Sequence, residues 1–184
     1  RGLGDVYKRQ IWGDAPLALT GYESTGGDLY LPRAPKAEIF ARIESDLTEA
    51  ERYVTDNSDK AVATPAAVQM LKADYALWMY RVAGGGSSYL TMAEKAIEAL
   101  NLSASRLESD YAQVFSSANK LNKEVIFAFS CLTEDGSSIK ISNQFYSYNH
   151  PNKGSYNYRP AGDVMTMYAD NDLRKEVSIT TLDN

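Results

Sequence analysis

The stretch TPAAVQMLKADYALWMYRVAGGGSSYLTMAEKAIEAL, from Thr64 to Leu100, carries two helical patterns separated by three glycines. Thr64 suits a helix N-cap, where its hydroxyl accepts an otherwise orphaned backbone N–H. Pro65 suits the first helical position, where no N–H is needed. Val68, Leu71, Tyr75, Trp78 and Val82 recur at intervals of three and four, which places them on one helical face. Met70, Ala73, Leu77 and Tyr80 widen that face, so a helix over Pro65–Ala83 is expected to be buried on more than one side. Gly84, Gly85 and Gly86 stop it, glycine being a poor helix former and a good C-terminal cap. Ser88 is expected to cap a further helix through Leu100, with Met92, Ala93, Ala96, Ile97 and Leu100 as its small and apolar positions. A long helix, a tight turn and a shorter helix make an antiparallel helical hairpin. Leu71, Tyr75, Trp78, Met92 and Ala96 are its expected contacts.

On the N-terminal side, Ile39, Ile43, Leu47, Ala50 and Val54 give a second stripe, predicting a helix over Pro35–Thr55. Glu44, Asp46, Glu49, Glu51 and Arg52 lie off that stripe and read as a solvated face. Asp56–Ala63 is a polar linker, and Ile11–Arg33, with Pro32 near its end, reads as extended and looping. After Asn101 the pattern changes. Asp110–Glu124 reads as holding a short helical stretch, EVIFAFSC (Glu124–Cys131) as a buried strand, and Thr133–Ser138 as a turn. Asn143–Pro160 is a loop dense in Tyr, Asn, Ser and Gly; a short helix over Asp163–Asp170 follows, and SITTLDN closes the chain as a strand-like stretch. The fold class is therefore mainly α: tetratricopeptide-like helical hairpins with long loops and a few short strands. Leu71 and Tyr75 keep the spacing of a tetratricopeptide first helix, although Lys72 stands where glycine is usual.

Composition removes several functional classes. With 24 acidic and 19 basic side chains the net charge is −5, a poor balance for neutralising nucleic-acid phosphates. Cys131 and His150 stand alone as their types, so a disulfide framework, a thiolate zinc site and a multi-histidine metal site are all excluded. No run approaches the roughly 20 apolar residues of a membrane span. A hydrolase triad needs a base oriented by a third group, and His150 sits beside Pro151 in a polar loop. Catalytic residues, cofactors and metal ligands are thus expected to be none. DNDLRKE (Asp170–Glu176) opens like a calcium loop, but Arg174 occupies the fifth position, which favours a structural Asp–Arg pair.

One functional signal remains. The chain has 13 tyrosines against 5 phenylalanines, and the loop after Asn143 concentrates them: Phe145, Tyr146, Tyr148, Tyr156 and Tyr158, separated by Asn149, Asn152 and Asn157. Two readings stand: a hairpin covering the helices, or aromatic faces that stack on sugar rings while neighbouring amides bond sugar hydroxyls. The second nominates Tyr146, Tyr148, Tyr156, Tyr158, Asn149 and Asn157 as ligand-binding residues.

The pieces in order resemble the SusD/RagB family. They are WGDAPL (Trp12–Leu17), RAPKAEIFARIESDLTEAE (Arg33–Glu51), ATPAAVQMLKADYALWMY (Ala63–Tyr80), YLTMAEKAIEAL, DYAQVF, KEVIFAF and the closing Asp172–Arg174, together spanning about Ile11 to Arg174. The resemblance implies an incomplete SusD-like helical domain over 11–184. RGLGDVYKRQ (1–10) reads either as a non-native tail, similar to a translated sequencing adapter, or as an ordinary loop. The resemblance further implies a surface-exposed outer-membrane lipoprotein of Bacteroidota-type bacteria. Such a protein binds oligosaccharide without catalysis and passes it to a SusC-like TonB-dependent transporter. Its contact with the membrane is through a lipid anchor outside this chain, since Cys131 is no lipidation site. A helical-repeat scaffold for protein contacts is the alternative, and an enzyme a third reading.

Overall fold

Pro35 cannot cap a helix through its side chain, so the cap of the first helix, α1 (Lys36–Tyr53), comes from elsewhere: the Asp14 carboxylate accepts the Lys36 N–H at 2.9 Å. This bond is seen in a computed structural model that describes residues 13–21, 30–129, 144–149, 154–155, 157–158 and 161–178. Asp14 is held in place by a two-residue antiparallel bridge, β1 (Ala15–Pro16) with β2 (Arg33–Ala34), in which Ala15 pairs with Ala34. The chain divides into two units, 1–103 and 104–184.

In the first unit, α1 buries Ile39, Ile43 and Leu47, three of the five expected stripe positions, and leaves Ala50 and Val54 half-buried. The second helix, α2 (Pro65–Arg81), starts as the sequence demands: the Thr64 hydroxyl accepts the Ala67 N–H at 3.2 Å, with Pro65 first in the helix. The third, α3, spans Ser87–Ala99. Its cap differs from expectation. Gly86, not Ser88, is the N-cap and makes no side-chain bond. The glycine turn has its own reason. Gly84 takes a left-handed φ of +72°, and a Cβ on Gly85 would lie 2.5 Å from the Tyr89 ring.

α2 is buried on two faces, but not by all the residues expected. Tyr75, Leu71, Trp78 and Met79 join Ile39, Phe40, Ile43 and Leu47 of α1, with Tyr89 of α3 and Ala15 completing the cluster. Phe40 lies 5.8 Å from Trp78 and 6.4 Å from Tyr75, ring centre to ring centre. The second face carries Ala73 and Ala76, and α3 in return buries Ala93 and Ala96. Four buried alanines on adjoining helices allow a close approach that larger side chains would block. Met70, Leu77, Tyr80, Val82 and Ile97, expected on the apolar faces of their helices, are instead exposed.

The acidic residues of α1 are not simply solvated either. Glu44 accepts the phenol of Tyr75 at 3.0 Å and that of Tyr89 at 2.7 Å, so one carboxylate ties α1 to both other helices. Glu51 accepts Lys72 Nζ at 2.7 Å and Gln69 Nε2 at 2.9 Å, and Arg42 pairs with Asp46 one turn on. Burial would push the Glu51 carboxyl up, but the bonds from Lys72 and Gln69, with the Lys72 charge, outweigh it and hold it below its ordinary value.

The second unit is built from short pieces. Asp110 caps α4 (Tyr111–Val114), and Ser116 caps a single 3-10 turn at Ser117–Asn119, as expected of a short helical stretch here. Buried Asn122 ties these pieces to the chain beyond them. Its amide donates to the Val114 carbonyl at 2.9 Å and the Asn119 carbonyl at 3.2 Å, while its oxygen accepts the Glu124 N–H at 3.0 Å. Asn122→Ala should strand these groups and cost about 1–3 kcal/mol, read as a lower urea midpoint by far-UV circular dichroism; an unchanged midpoint refutes the role.

The strand expected over Glu124–Cys131 does not form among the described residues of that run, 124–129. The chain enters it from a turn, with the Val125 N–H on the Asn122 carbonyl. Glu124 itself caps the Glu108 N–H at 2.6 Å. Phe127 and Phe129 stand edge to face at 5.2 Å and both are exposed. Strand preference acts through neighbours, and no described strand lies beside this run to accept it. Ser130, Cys131 and the turn at Thr133–Ser138 lie outside the described residues. The helix expected over Asp163–Asp170 is a 3-10 turn at Val164–Met167, and α5 (Arg174–Ser178) follows, close to α4. The strand-like tail beyond Ser178 lies outside the described residues, as do residues 1–10.

Candidate functional site

The aromatic loop doubles back on itself. The Tyr158 N–H donates to the Gln144 carbonyl at 3.1 Å, and the Gly154 N–H to the Ser147 carbonyl at 3.2 Å. Pairing 144 with 158 and 147 with 154 brings two limbs side by side without a strand ladder. The side chains reinforce it: Asn157 Nδ2 donates to Gln144 Oε1 at 2.5 Å, and the Phe145 and Tyr158 rings lie 5.8 Å apart at 36°.

Of the nominated residues, Tyr148 and Tyr158 are exposed, at 70% and 63%, and Asn149 and Asn157 are exposed with them. Tyr146 is half-buried. Tyr156 lies outside the described residues, as do His150 and Asn152. Phe145 and Gln144 are absent from the nominated set, yet Phe145 is the ring beside Tyr158, and Gln144 bonds both the Asn157 side chain and the Tyr158 main chain. The sequence offered one hint, since Phe145 and Tyr158 flank the loop almost symmetrically about its Asn149–Asn152 centre. The described part of this loop offers aromatic faces, amides and main-chain groups, which suit recognition.

Elsewhere in this unit Asp172 and Arg174 form the expected pair. Arg174 Nε reaches Asp172 Oδ1 at 2.9 Å, and its Nη2 reaches Oδ2 at 2.5 Å. The bonded guanidinium, helped by the Arg174 N–H, holds the Asp172 carboxyl down at about 2. The pair pins the turn into α5 and leaves this carboxylate no cation to seek. Among the described residues no three His, Cys, Asp or Glu side chains gather to hold a metal ion, and no helix is long and apolar enough to cross a membrane.

A solved structure bears directly on the chain. The crystal structure of a SusD superfamily protein from Bacteroides fragilis matches it with a TM-score of 0.62 at 29% identity, over 80% of this chain. The fold is SusD-like. The match takes in 32% of the other protein, so the SusD-like chain spans about a third of the length of the structure it resembles. No protein-family model matches it, and no curated protein does. The mainly helical class and the family resemblance read from the ordered motifs both agree with this structure.

Proposed function

We propose that this SusD-like chain belongs to a protein that binds glycan at the surface of the bacterial outer membrane, without catalysis, and delivers it to a SusC-like TonB-dependent transporter. The observation that carries the reading is the likeness to the SusD superfamily structure. The exposed rings of Tyr148 and Tyr158, with the amide of Asn149 next to Tyr148 in the chain, support a carbohydrate ligand. Pyranose rings present patches of C–H that stack on aromatic faces, and their hydroxyls need donors and acceptors at the rim. The outer-membrane location, the lipid anchor outside this chain and the transporter partner all rest on that same likeness.

Affinity electrophoresis tests the reading. The chain is run in native gels containing amylopectin, xylan, galactomannan or mixed-linkage β-glucan. Retardation is expected in at least one gel, with no release of reducing ends. Each stacked ring contributes on the order of 1 kcal/mol, so Tyr148→Ala/Tyr158→Ala should weaken retention by roughly tenfold or more. No retardation in any gel refutes glycan binding by this chain, and equal retardation of the double variant removes the loop as its site. A gene for a TonB-dependent transporter beside the full-length gene is the expected genomic setting.

A further inference from the structure

Asn157 has the amide of a group that would meet sugar hydroxyls directly, and its geometry argues for a different role. One of its two Nδ2 N–H groups is donated to Gln144 Oε1 at 2.5 Å. Gln144 is engaged a second time, since its carbonyl accepts the N–H of Tyr158, the residue after Asn157, at 3.1 Å. Next to Gln144 in sequence stands Phe145, whose ring meets the ring of Tyr158. Two consecutive residues on one limb, Gln144 and Phe145, therefore grip two consecutive residues on the other, Asn157 and Tyr158. The grip closes a loop whose ends are thirteen residues apart in sequence, and closing a loop of that size costs entropy that something must offset. Both rings remain more than half exposed, so the grip fixes where they stand without covering them.

We infer that Gln144 and Asn157 are positioning residues: their side-chain bond is a strut that assembles Phe145 and Tyr158 into a paired aromatic platform, and Phe145 is a ligand-contacting ring alongside Tyr158. The inference rests on the glycan-binding reading above and deepens it. The ligand it selects is a neutral pyranose lying with its C–H face across both rings. The strut acts through the fraction of molecules in which the platform is assembled, because apparent affinity falls in proportion to that fraction. Losing one such hydrogen bond is expected to reduce affinity roughly two- to tenfold.

The test uses the gel that retards the wild-type chain. Gln144→Ala and Asn157→Ala should each weaken retention by that factor, and the double variant should be no weaker than either single one, since both delete the same bond. Gln144→Glu keeps an oxygen at the accepting position and should restore retention. Phe145→Ala should weaken it about as much as Tyr158→Ala, and urea midpoints of the strut variants should match the wild type. Wild-type retention by Gln144→Ala, with loss in Asn157→Ala, makes Asn157 a direct ligand amide and overturns the strut while leaving the glycan reading intact. Additive losses in the double variant, or no loss in either single variant, overturn it equally. Wild-type retention by Phe145→Ala overturns the paired platform. Wild-type retention by Tyr158→Ala also overturns the platform, whereas wild-type retention by Tyr148→Ala/Tyr158→Ala is the separate result that removes the loop itself.

Discussion

Tyr75→Ala should destabilise the first unit by about 3–5 kcal/mol, the range for emptying a buried aromatic site. Tyr75 is 1% exposed and touches all three helices: Phe40 on α1, its own neighbours on α2, and Tyr89 on α3 at 6.3 Å. Removing the ring leaves a cavity and takes one of two phenol donors from Glu44. Tyr75→Phe separates these losses. It keeps the packing, and because Glu44 is only half-buried, water replaces part of the lost bond, so about 1 kcal/mol is expected. Alkaline pH gives an independent reading. Burial first, then the Glu44 charge and hydrogen bond, push the Tyr75 phenol far above its ordinary range. The Glu44 bond first, then burial, also raise Tyr89. A group whose folded pKa is raised contributes stability that is whole below its unfolded value, near 10, and is lost as pH rises beyond it. The wild type should therefore lose stability above about pH 10, and Tyr75→Phe should show a shallower decline. The fluorescence of Trp78 in a Trp12→Phe background, followed through urea unfolding, measures both, the chain having only these two tryptophans. Parallel alkaline limbs in the two proteins would falsify the upward shift of the Tyr75 phenol by burial and Glu44.

The three long helices were legible because their signals are local. A cap residue, an apolar period and a run of glycines each act within a turn or two, and α1, α2 and α3 fall within two residues of the expected ends. What was not legible depends on residues far apart. Glu44 has the sequence context of a surface carboxylate, and its two donors lie 31 and 45 residues away. The Asp14 cap on α1 acts across 22 residues. The second buried face of α2 was expected, with Ala73 in it, but its membership was not fully legible: Ala76 contributes little to a hydrophobic pattern and is buried, while Leu77 and Tyr80 contribute much and stay outside. Closeness of approach decides that interface, and hydrophobicity alone does not encode it. The strand expected at Glu124–Cys131 failed over its described residues because a strand is completed by its neighbours.

The loop after Asn143 divides in the same way. Its density of tyrosine and asparagine is a compositional fact, visible at once, and it leads to the exposed Tyr148 and Tyr158. Which side chains hold the loop together is a matter of pairing across thirteen residues, so Gln144, an ordinary polar residue before a run of aromatics, gave no local sign of its two bonds. Asn157, nominated for its ligand-like amide, donates an N–H to Gln144 across the loop, a bond its residue type did not announce. Residue type points to the segment and cannot divide the labour within it.

Ile43→Asp should be the most damaging single change in the first unit. Ile43 is 1% exposed and sits among Ile39, Leu47, Tyr75 and Met79. The one hydroxyl among those residues, on Tyr75, is donated to Glu44, and the neighbouring Glu44 adds a like charge. Burying an unpaired charge lies at the extreme of single-residue effects, on the order of 4–5 kcal/mol or more, enough to unfold a marginal domain at neutral pH. Ile43→Asn is the control, equally polar and unable to ionise. Desolvation raises the pKa of a buried aspartate above its unfolded value of about 3.9. The folded state of Ile43→Asp then binds its proton more tightly than the unfolded state, so its penalty shrinks towards pH 4 and grows as pH rises. The wild type has an opposite slope only at the acid edge, through Glu51, whose depressed carboxyl gives stability that is lost as pH falls below its ordinary value. The difference between the Asp and Asn variants is therefore the quantity to follow by circular dichroism. It should be small near pH 4 and open steadily towards pH 7. A constant difference, or a folded Ile43→Asp at pH 7, would mean that water reaches position 43 and that α1 does not pack on α2 through this side chain.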